Sequence, residues 1–401
     1  MSTELNFDSH NVVLAMSEVK DLFRMHFEQG CRYVAKRVYD QVLAVDFESW
    51  LAARHYERTL GRRDWRNGTR QRGLLTSVGH LNLKVPRSRQ GDWKPSMFEK
   101  YRRVDKQLSA MIREMFVCGV STRKVGDVLE VLCDERVSAS YVSTVVKELD
   151  EAVRAYHHRP VDDNFVFLYL DGISVRIKVG LKAKRYMLLV AYGIRADGRR
   201  EIIGFQKVHS ESARCWQTFL DDLKARGLNG RNLQLIIMDG ALGLWAAAEA
   251  VYPQVEHQLC WVHKLRNLSS YCYKRYRKDC VGEAVQIMTA PSGGVSANRF
   301  REWKRRWQKL LPKAVACLER DFDKLIPIFE FPVEIRKMLR TTNVIERSFR
   351  EVRRRLKVMG YFQNSRSCQR IVYAVFTHLN HKWKRKTENI RIIKNLYQEA
   401  A

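Results

Sequence analysis

The strongest constraint on the fold of this chain is a run of strand-like segments between residues 165 and 263. Residues 165–170 form a continuous apolar run, and from Ile173 to Val179 apolar side chains alternate with others, as in a β-strand. Asp197-Gly198 is a hairpin turn signal. In chain order the sequence predicts strands at 165–179, 186–194 and 202–208, a helix at 212–226, a strand at 233–238, a helix at 242–251 and a strand at 255–263.

This order, βββαβαβ, predicts an α/β fold with a ribonuclease H-like mixed sheet and helices on its faces. It puts Asp171 in the first strand and Asp239 at the end of the fourth. After Lys264 the strand signals stop and the sequence becomes helical, basic and rich in Trp and Tyr. We therefore expect the first part of the core at 159–264, an α-helical insertion at 265–338, and the second part of the core with a basic C-terminal helix at 339–401.

The charge of the chain is strongly positive and unevenly distributed. Lys and Arg number 72 against 44 Asp and Glu, a formal net charge of +28. Residues 51–100 and 261–401 are both strongly basic, whereas the segment between them is almost neutral. This pattern predicts a protein that binds a polyanion, most simply double-stranded DNA, through two basic regions. No apolar stretch is long enough for a membrane span, and the N-terminus lacks a leader pattern, so we expect a cytoplasmic protein.

The part of the chain before the core divides into two predicted regions. Residues 1–60 are expected to be helical, because apolar positions from Val13 to Phe23 recur at helical spacing. Residues 61–158 are expected to form a DNA-binding region, which opens with a basic segment whose short alternating strand ends at Pro86.

Two amphipathic helical patterns, at 125–132 and 142–149, follow in this region and are joined by a short link. Ser138 or Ser140 can cap the second helix. These features predict a helix-turn-helix, with an ordinary helical hairpin as the alternative. The polar residues expected to face DNA from the second helix are Ser143, Thr144 and Lys147.

Three acidic residues have the pattern that two-metal phosphoryl transfer requires. Carboxylates from separate elements must converge to hold two Mg²⁺ ions, for which Mn²⁺ can substitute. Asp171, Asp239 and Glu346 meet this description. Each also has a simpler explanation: Asp-Gly is a common turn signal, and Glu346 can form a capping box with Asn343 or pair with Arg350.

The segments around these residues resemble the bacterial members of the Mutator-type transposase family. The similarity is carried by Asp171-Gly172, Met238-Asp239-Gly240, residues 260–267 (CWVHKLRN) and residues 342–349 (TNVIERSF), and it extends from about residue 60 to 380. It implies a DDE transposase of an insertion sequence, with Asp171, Asp239 and Glu346 as catalytic and metal-binding residues. It also implies that Cys260, His263 and Asn343 support the active site.

The wider set of DNA contacts and one metal site stay open. Candidate phosphate contacts are Arg87, Arg89, Arg347, Arg350 and Arg354. Trp303 and Trp307 fit either base stacking or a helix core. Cys260-x-x-His263, with further cysteines nearby, also permits a zinc site, although the second half lacks a paired zinc motif.

These observations predict a transposase that binds terminal inverted repeats and catalyses metal-dependent DNA cleavage and strand transfer. Because two ends must meet, we expect a homodimer or a higher homo-oligomer, associated with the nucleoid. The alternatives are a domesticated DNA-binding regulator without catalysis and a metal-dependent nuclease that cuts but does not join.

Overall fold

The structure is a computed structural model that describes residues 2–7, 10–15, 27–98, 104–133 and 136–384. The chain divides into two compact units, residues 1–148 and 149–401. Among the described residues no helix is long and apolar enough to cross a membrane.

The described residues of the first unit form two small antiparallel strand pairs and four helices. Its elements are β1 (Ser2–Phe7), β2 (His10–Ala15), α1 (Phe27–Leu51), β3 (Arg66–Thr76), β4 (Gly79–Ser88), α2 (Lys106–Val117), α3 (Thr122–Cys133) and α4 (Ala139–Lys147). One core forms where Leu43 and Phe47 of α1 pack on Leu74, Leu81 and Leu83 of the β3–β4 pair.

Two expectations for this unit are wrong. Residues 10–15 are a strand paired with β1, not a helix, because a short apolar run does not distinguish the two periods. The rest of the segment to Phe23 lies outside the described residues. The strand that was expected to end at Pro86 continues to Ser88, since each strand of a two-stranded pair has a free edge at which the missing N–H of proline costs no ladder bond.

The helices α3 and α4 form as predicted. Ser138 is the N-cap of α4 and accepts a hydrogen bond from Tyr141 N at 3.2 Å. Gly126 of α3 lies so close to the carbonyl oxygen of Val137 that a Cβ would be 2.6 Å away. A glycine is therefore required for the close approach of α3 to the link before α4.

The second unit is built on a five-stranded mixed sheet. Its first part contains α5 (Leu149–His158), β5 (Phe165–Val179), β6 (Lys182–Arg195), β7 (Arg200–Val208), α6 (Ala213–Ala225), β8 (Leu235–Met238), α7 (Leu242–Val251) and β9 (Glu256–Leu259). The strand order is β7-β6-β5-β8-β9. The first three strands are antiparallel, and β8 runs parallel to β5 and β9.

After β9, the described residues of this unit, 260–384, are helical apart from short connections. They form α8 (Trp261–Ser270), α9 (Lys274–Met288), α10 (Gly293–Trp307), α11 (Pro312–Arg320), two short 3₁₀ helices (Asp323–Leu325 and Pro327–Glu330), α12 (Val333–Leu339), α13 (Asn343–Met359) and α14 (Ser365–Lys384). The helices α8 to α11 share one core, in which Trp303 and Trp307 are buried. Their Nε1 atoms donate to the Cys280 carbonyl and the Glu283 carboxylate, so these rings are core residues and not base-stacking platforms.

Both faces of the sheet are covered. The helices α6 and α7 pack on one face, where Leu170 and Met238 are buried. On the opposite face the hydroxyl of Tyr169 donates to the Met338 carbonyl, and Phe167 contacts Phe331 edge to face. Neighbouring residues in a strand point to opposite faces, so Asp171 lies on the face that the C-terminal segments cover.

Candidate active site

The pairing of β5 with β8 brings Asp171 and Asp239 together. The last pair in this parallel register is Leu170 with Met238; Asp171 is the next residue of β5, and Asp239 directly follows the end of β8. Adjacent strands lie about 5 Å apart, so the two carboxylates leave the sheet side by side. Asp171 is not at a turn, as Asp-Gly allowed, because β5 continues past it and pairs it with Val190. Asp239 does begin a turn, in which its carboxylate accepts a hydrogen bond from Ala241 N.

Asp171 is buried, with 5% of its surface exposed. Its carboxylate accepts a hydrogen bond from Gly172 N at 2.8 Å and has no ion-pair partner among the described residues. Burial raises the pKa of Asp171 to about 7, and the charges of Asp239 and Glu346 act in the same direction, while His263 opposes them. The site therefore concentrates negative charge in a place with little solvent to screen it.

Helix α13 carries Glu346, whose charge acts on Asp171. The start of α13 is fixed to α8, because Trp261 N donates to the Arg340 carbonyl at 3.0 Å. The Glu346 Oε1 atom lies 3.4 Å from His263 Nε2 and 3.5 Å from Arg266 Nη2. Thr342, not Asn343, is the N-cap of α13, and its side chain makes no cap bond, so Glu346 contacts the site and not a capping box.

Cys260 and His263 lie on a helix N-terminus, whereas the sequence predicted a strand up to His263. The strand β9 ends at Leu259, and Cys260 caps α8. The buried Trp261 contributes to this switch, since its indole Nε1 donates to the Leu325 carbonyl in the helical part of the unit. Residues three apart face the same side of a helix, so Cys260 and His263 point together.

Thr342 links these two side chains. Its backbone N–H and its hydroxyl both donate to the Cys260 sulfur, at 3.3 and 3.5 Å. Its hydroxyl is also 3.4 Å from His263 Nδ1. The hydrogen bond with Cys260 and then the charges of Asp171 and Asp239 raise the pKa of His263 to about 9, against the effect of burial. Burial raises the pKa of Cys260, but the contacts with His263 and Thr342 outweigh it and lower the pKa.

Comparison with known proteins shows the family to which the chain belongs. The model of the family "Transposase, Mutator family" matches residues 9–386. This chain belongs to the Mutator family of transposases. It is 34% identical over 92% of each chain to the transposase for insertion sequence element ISRM5 of Rhizobium meliloti. It is 36% identical to the transposases for IS406 of Burkholderia multivorans (88% of this chain, 91% of the relative) and for IS256 in transposon Tn4001 of Staphylococcus aureus (86% and 89%).

A solved structure of the simian T-cell lymphotropic virus intasome in complex with PP2A regulatory subunit B56 gamma also matches this transposase. The match has 11% identity, covers 52% of this chain and 63% of that chain, and has a TM-score of 0.18. A score this low carries no weight for the fold.

The transposase has a fourth acidic residue at the site, which the sequence analysis did not identify. Glu211 lies between β7 and α6, and its Oε1 atom accepts a hydrogen bond from Trp216 Nε1 at 3.2 Å. Burial and the charge of Asp239 raise its pKa. Nothing in the local sequence marks Glu211, which stands just before the N-cap Ser212 of α6.

The candidate metal ligands are partly assembled. Among the described residues no group of three or more His, Cys, Asp and Glu side chains could hold one metal ion. This finding includes Cys260 and His263 and the nearby cysteines, which the zinc alternative required. Asp171 and Asp239 are adjacent, whereas Glu346 contacts two basic side chains. Asn343 is exposed, and its backbone N donates to Thr341 Oγ1.

The candidate DNA contacts are distributed over both units. In the first unit Arg87 and Arg89 are exposed, and on α4 Thr144 and Lys147 are exposed while Ser143 is half-buried. In the second unit the candidate contacts Arg347, Arg350 and Arg354 of α13 are exposed, as is Arg353, and the spacing of the three candidates puts them along one side of the helix. Arg354 forms an ion pair with Glu351 at 2.8 Å.

Proposed function

We propose that this protein is a DDE transposase that binds the terminal inverted repeats of its own insertion sequence, cuts the DNA and joins the freed 3′ end to a target. The observation that carries the proposal is the β5–β8 register, whose last pair, Leu170 with Met238, is followed on each chain segment by an aspartate, Asp171 and Asp239. The charges of Asp239 and Glu346 both act on Asp171. The strand order β7-β6-β5-β8-β9, with three antiparallel strands before the first parallel pair, supports a ribonuclease H-like core.

The donor set fits Mg²⁺ or Mn²⁺. Both prefer carboxylate oxygens, and among the described residues the buried carboxylate of Asp171 forms no ion pair, although the charge of His263 acts on it. We assign Asp171, Asp239 and Glu346 as the residues that would hold two ions. When bound, such ions would activate the attacking oxygen and stabilise the leaving oxygen.

His263 and Arg266 have a separate role in this proposal. They give Glu346 positive neighbours, so they orient its carboxylate toward Asp171 and Asp239. Arg266 is exposed beyond the site, where it would contact a DNA phosphate. Cys260 and Thr342 act through His263, since they fix its ring by hydrogen bonds.

DNA binding by the first unit completes the proposal. We infer that α3 and α4 form a helix-turn-helix, with Thr144 and Lys147 toward DNA and Ser143 at its edge. Arg87 and Arg89, together with the arginines of α13, would contact phosphates. We also propose that a homodimer or a larger homo-oligomer holds the two ends of the element in the bacterial nucleoid.

The test uses purified full-length protein, Mg²⁺ or Mn²⁺, and DNA that flanks its gene. The variants are Asp171→Asn, Asp239→Asn and Glu346→Gln, with Asp221→Asn, an exposed carboxylate of α6, as the control. The proposal is supported if the wild type and Asp221→Asn give joined products and the other three variants do not. Cutting without joining would favour a nuclease, and binding without cutting would favour a regulator.

Metal binding is measured separately from activity. A ligand that binds the folded state raises the unfolding temperature, so Mn²⁺ should raise Tm for the wild type more than for Asp171→Asn or Asp239→Asn. Equal shifts in all proteins would remove the metal assignment.

A further inference from the structure

The loop after α1 presents two apolar side chains to solvent. Tyr56 is 93% exposed and Leu60 is 110% exposed, although apolar surface of this size normally gains free energy from burial. Both belong to residues 52–65, which we call the Tyr56 loop.

The Tyr56 loop is held closed by its own hydrogen bonds. Arg63 N donates to the Leu51 carbonyl at 3.1 Å and closes the base of the loop. Thr59 Oγ1 donates to the Ala52 carbonyl at 2.8 Å. The exposed side chains are therefore carried on an organised loop, so little ordering is needed when a partner binds.

The backbone at Tyr56 is strained. Its φ of 61° lies in the left-handed region, which a tyrosine rarely adopts. Arg54 and Glu57 hold the turn around it, because Arg54 N donates to Glu57 Oε2 at 2.7 Å and Glu57 N donates to the Arg54 carbonyl at 3.3 Å. Such strain persists where the surrounding contacts fix it, and it is common at binding sites.

The charges of the loop are separated by sign. Its two carboxylates accept backbone hydrogen bonds inside the first unit: Glu57 from Arg54 N and Asp64 from Trp65 N. The arginines Arg54, Arg58 and Arg63 are exposed, and no described residue forms an ion pair with them. The surface around Tyr56 and Leu60 is therefore positive.

The neighbouring strand extends this positive surface. Arg89 N donates to the Trp65 carbonyl at 2.9 Å, so the proposed phosphate contact Arg89 follows directly on the end of the loop. Guanidinium groups buried against an apolar protein surface would lack partners. A DNA duplex has both phosphates and apolar base faces. Its phosphates can pair with the arginines, and its base faces can contact Tyr56 and Leu60.

We propose that Tyr56 and Leu60 form a wedge that inserts into a base-pair step of bound DNA, while Arg54, Arg58 and Arg63 neutralise the flanking phosphates. Apolar and aromatic side chains on a basic surface unstack DNA in this way. The inference rests on the proposed function, because unstacking near the end of the element would expose the strand to be cut.

The experiment uses full-length protein and a series of duplexes from the DNA that flanks its gene. Each duplex has two adjacent mismatched base pairs at a different position, with 2-aminopurine next to the mismatches. A wedge binds more tightly to a base-pair step that is already unstacked, because it need not supply the unstacking energy. At one position of the mismatch, the protein should therefore bind the mismatched duplex about fivefold or more tighter than the matched duplex. In the matched duplex, 2-aminopurine at the same position should brighten when protein binds.

Tyr56→Ala and Leu60→Ala should lose the preference and the fluorescence rise, and Tyr56→Phe should keep both. Leu181→Ala, which removes a 99% exposed side chain from the β5–β6 turn, is the control and should behave as the wild type. Arg58→Gln should weaken binding to both duplexes equally, since phosphate contacts do not depend on stacking.

Three outcomes would overturn the wedge. Unchanged preference in Tyr56→Ala and Leu60→Ala would do so and leave DNA binding, and with it the proposed function, intact. Altered self-association in sedimentation, with unchanged DNA binding, would assign the loop to contacts between copies of the chain. No binding of the wild type to either duplex would overturn both the wedge and the proposed DNA-binding role.

Discussion

The carboxylate of Glu211 packs against the backbone of Gly172, and its Oε1 atom lies 2.7 Å from the position that a Cβ on Gly172 would occupy. The same oxygen is held by Trp216 Nε1. Gly172 lies within β5 and has no positive φ. Space for Glu211 beside Asp171, and not backbone freedom, is therefore the reason for glycine at this position.

This contact predicts a coupled effect on stability. Gly172→Ala should lower the free energy of unfolding by about 1 kcal/mol or less, because the added methyl group meets the carboxylate end of Glu211, which must shift and weaken its hydrogen bond with Trp216. Glu211→Ala should remove the clash, so the double variant should be more stable than the sum of the single effects by about 0.5–1 kcal/mol. Urea unfolding of the four proteins measures this coupling.

The control is Gly282→Ala in α9, where nothing lies within 4 Å of the added Cβ. This variant should gain roughly 0.5–1 kcal/mol from its higher helix propensity. If Gly172→Ala cost the same with and without Glu211, the steric explanation would be wrong.

Much of the central sheet could be predicted from the sequence. The apolar run at 165–170 and the alternation up to Val179 identify β5, and the Asp197-Gly198 turn forms as expected. These signals are local, because the period of the side chains follows from the backbone of a single strand. The sequence placed Asp171 in the first strand and Asp239 at the end of the fourth, whereas the register of the sheet is what shows these two strands to be neighbours.

The remaining parts of the site depend on contacts between distant segments. Glu211 has no sequence signal, since its position depends on the contact of its carboxylate with Gly172, which lies far from it in the sequence. The sequence analysis extended the strand from Val255 to His263, yet a helix begins at the buried Trp261. Trp303 has the same sequence pattern whether it stacks on a base or fills a core, and only its burial distinguishes the two.

A second prediction concerns the hydroxyl of Thr342. Thr342→Val keeps the size of this buried side chain and the backbone contact with Cys260, but it removes the hydroxyl beside His263 Nδ1. His263 would lose a bond that orients it toward Glu346, so strand transfer should slow by about 10- to 100-fold. Thr342→Ser keeps the hydroxyl and should stay close to the wild type.

The readout is the rate of single-turnover strand transfer, accompanied by a urea unfolding curve for each variant. A loss of rate in Thr342→Val that exactly tracks a loss of folded protein would contradict a positioning role. So would an equal loss in Thr342→Ser.

A third prediction concerns the ion pair between α5 and α14. Arg370 is buried and donates from Nε and Nη2 to both carboxylate oxygens of Asp150, at 2.7 and 2.6 Å. Asp150→Ala would leave a buried guanidinium without its partner, which costs about 3–5 kcal/mol in a fully buried site and less here, where Asp150 is a third exposed. We expect about 2–3 kcal/mol by urea unfolding.

The double variant Asp150→Leu/Arg370→Met is the matched test, because it replaces both charges by apolar groups. It should recover most of the lost stability. A double variant less stable than Asp150→Ala would show that packing around Arg370, and not its unpaired charge, determines the effect.

The last prediction is a dependence of stability on pH. His157 lies edge-on to Phe205, with ring centroids 4.7 Å apart, and its Nε2 atom is buried without a hydrogen-bond partner among the described residues. Burial, assisted by the charge of Arg226, lowers the pKa of His157 below its usual value of 6.5. In the unfolded chain the ring takes up a proton at a higher pH than in the fold. The stability that neutral His157 contributes is therefore fully present above pH 6.5 and is lost as the pH falls through that value toward the lower folded pKa.

His157→Phe should remove this part of the decline. As the pH falls from about 7 to 5, the free energy of unfolding of the variant should therefore rise relative to that of the wild type. Urea unfolding at several pH values measures the difference. NMR spectra of the two proteins identify the ring proton resonance of His157 as the one that the variant lacks, and its titration can then be followed in the wild type. A difference that stays constant over this range would mean that His157 has the same proton affinity in the folded and unfolded chains.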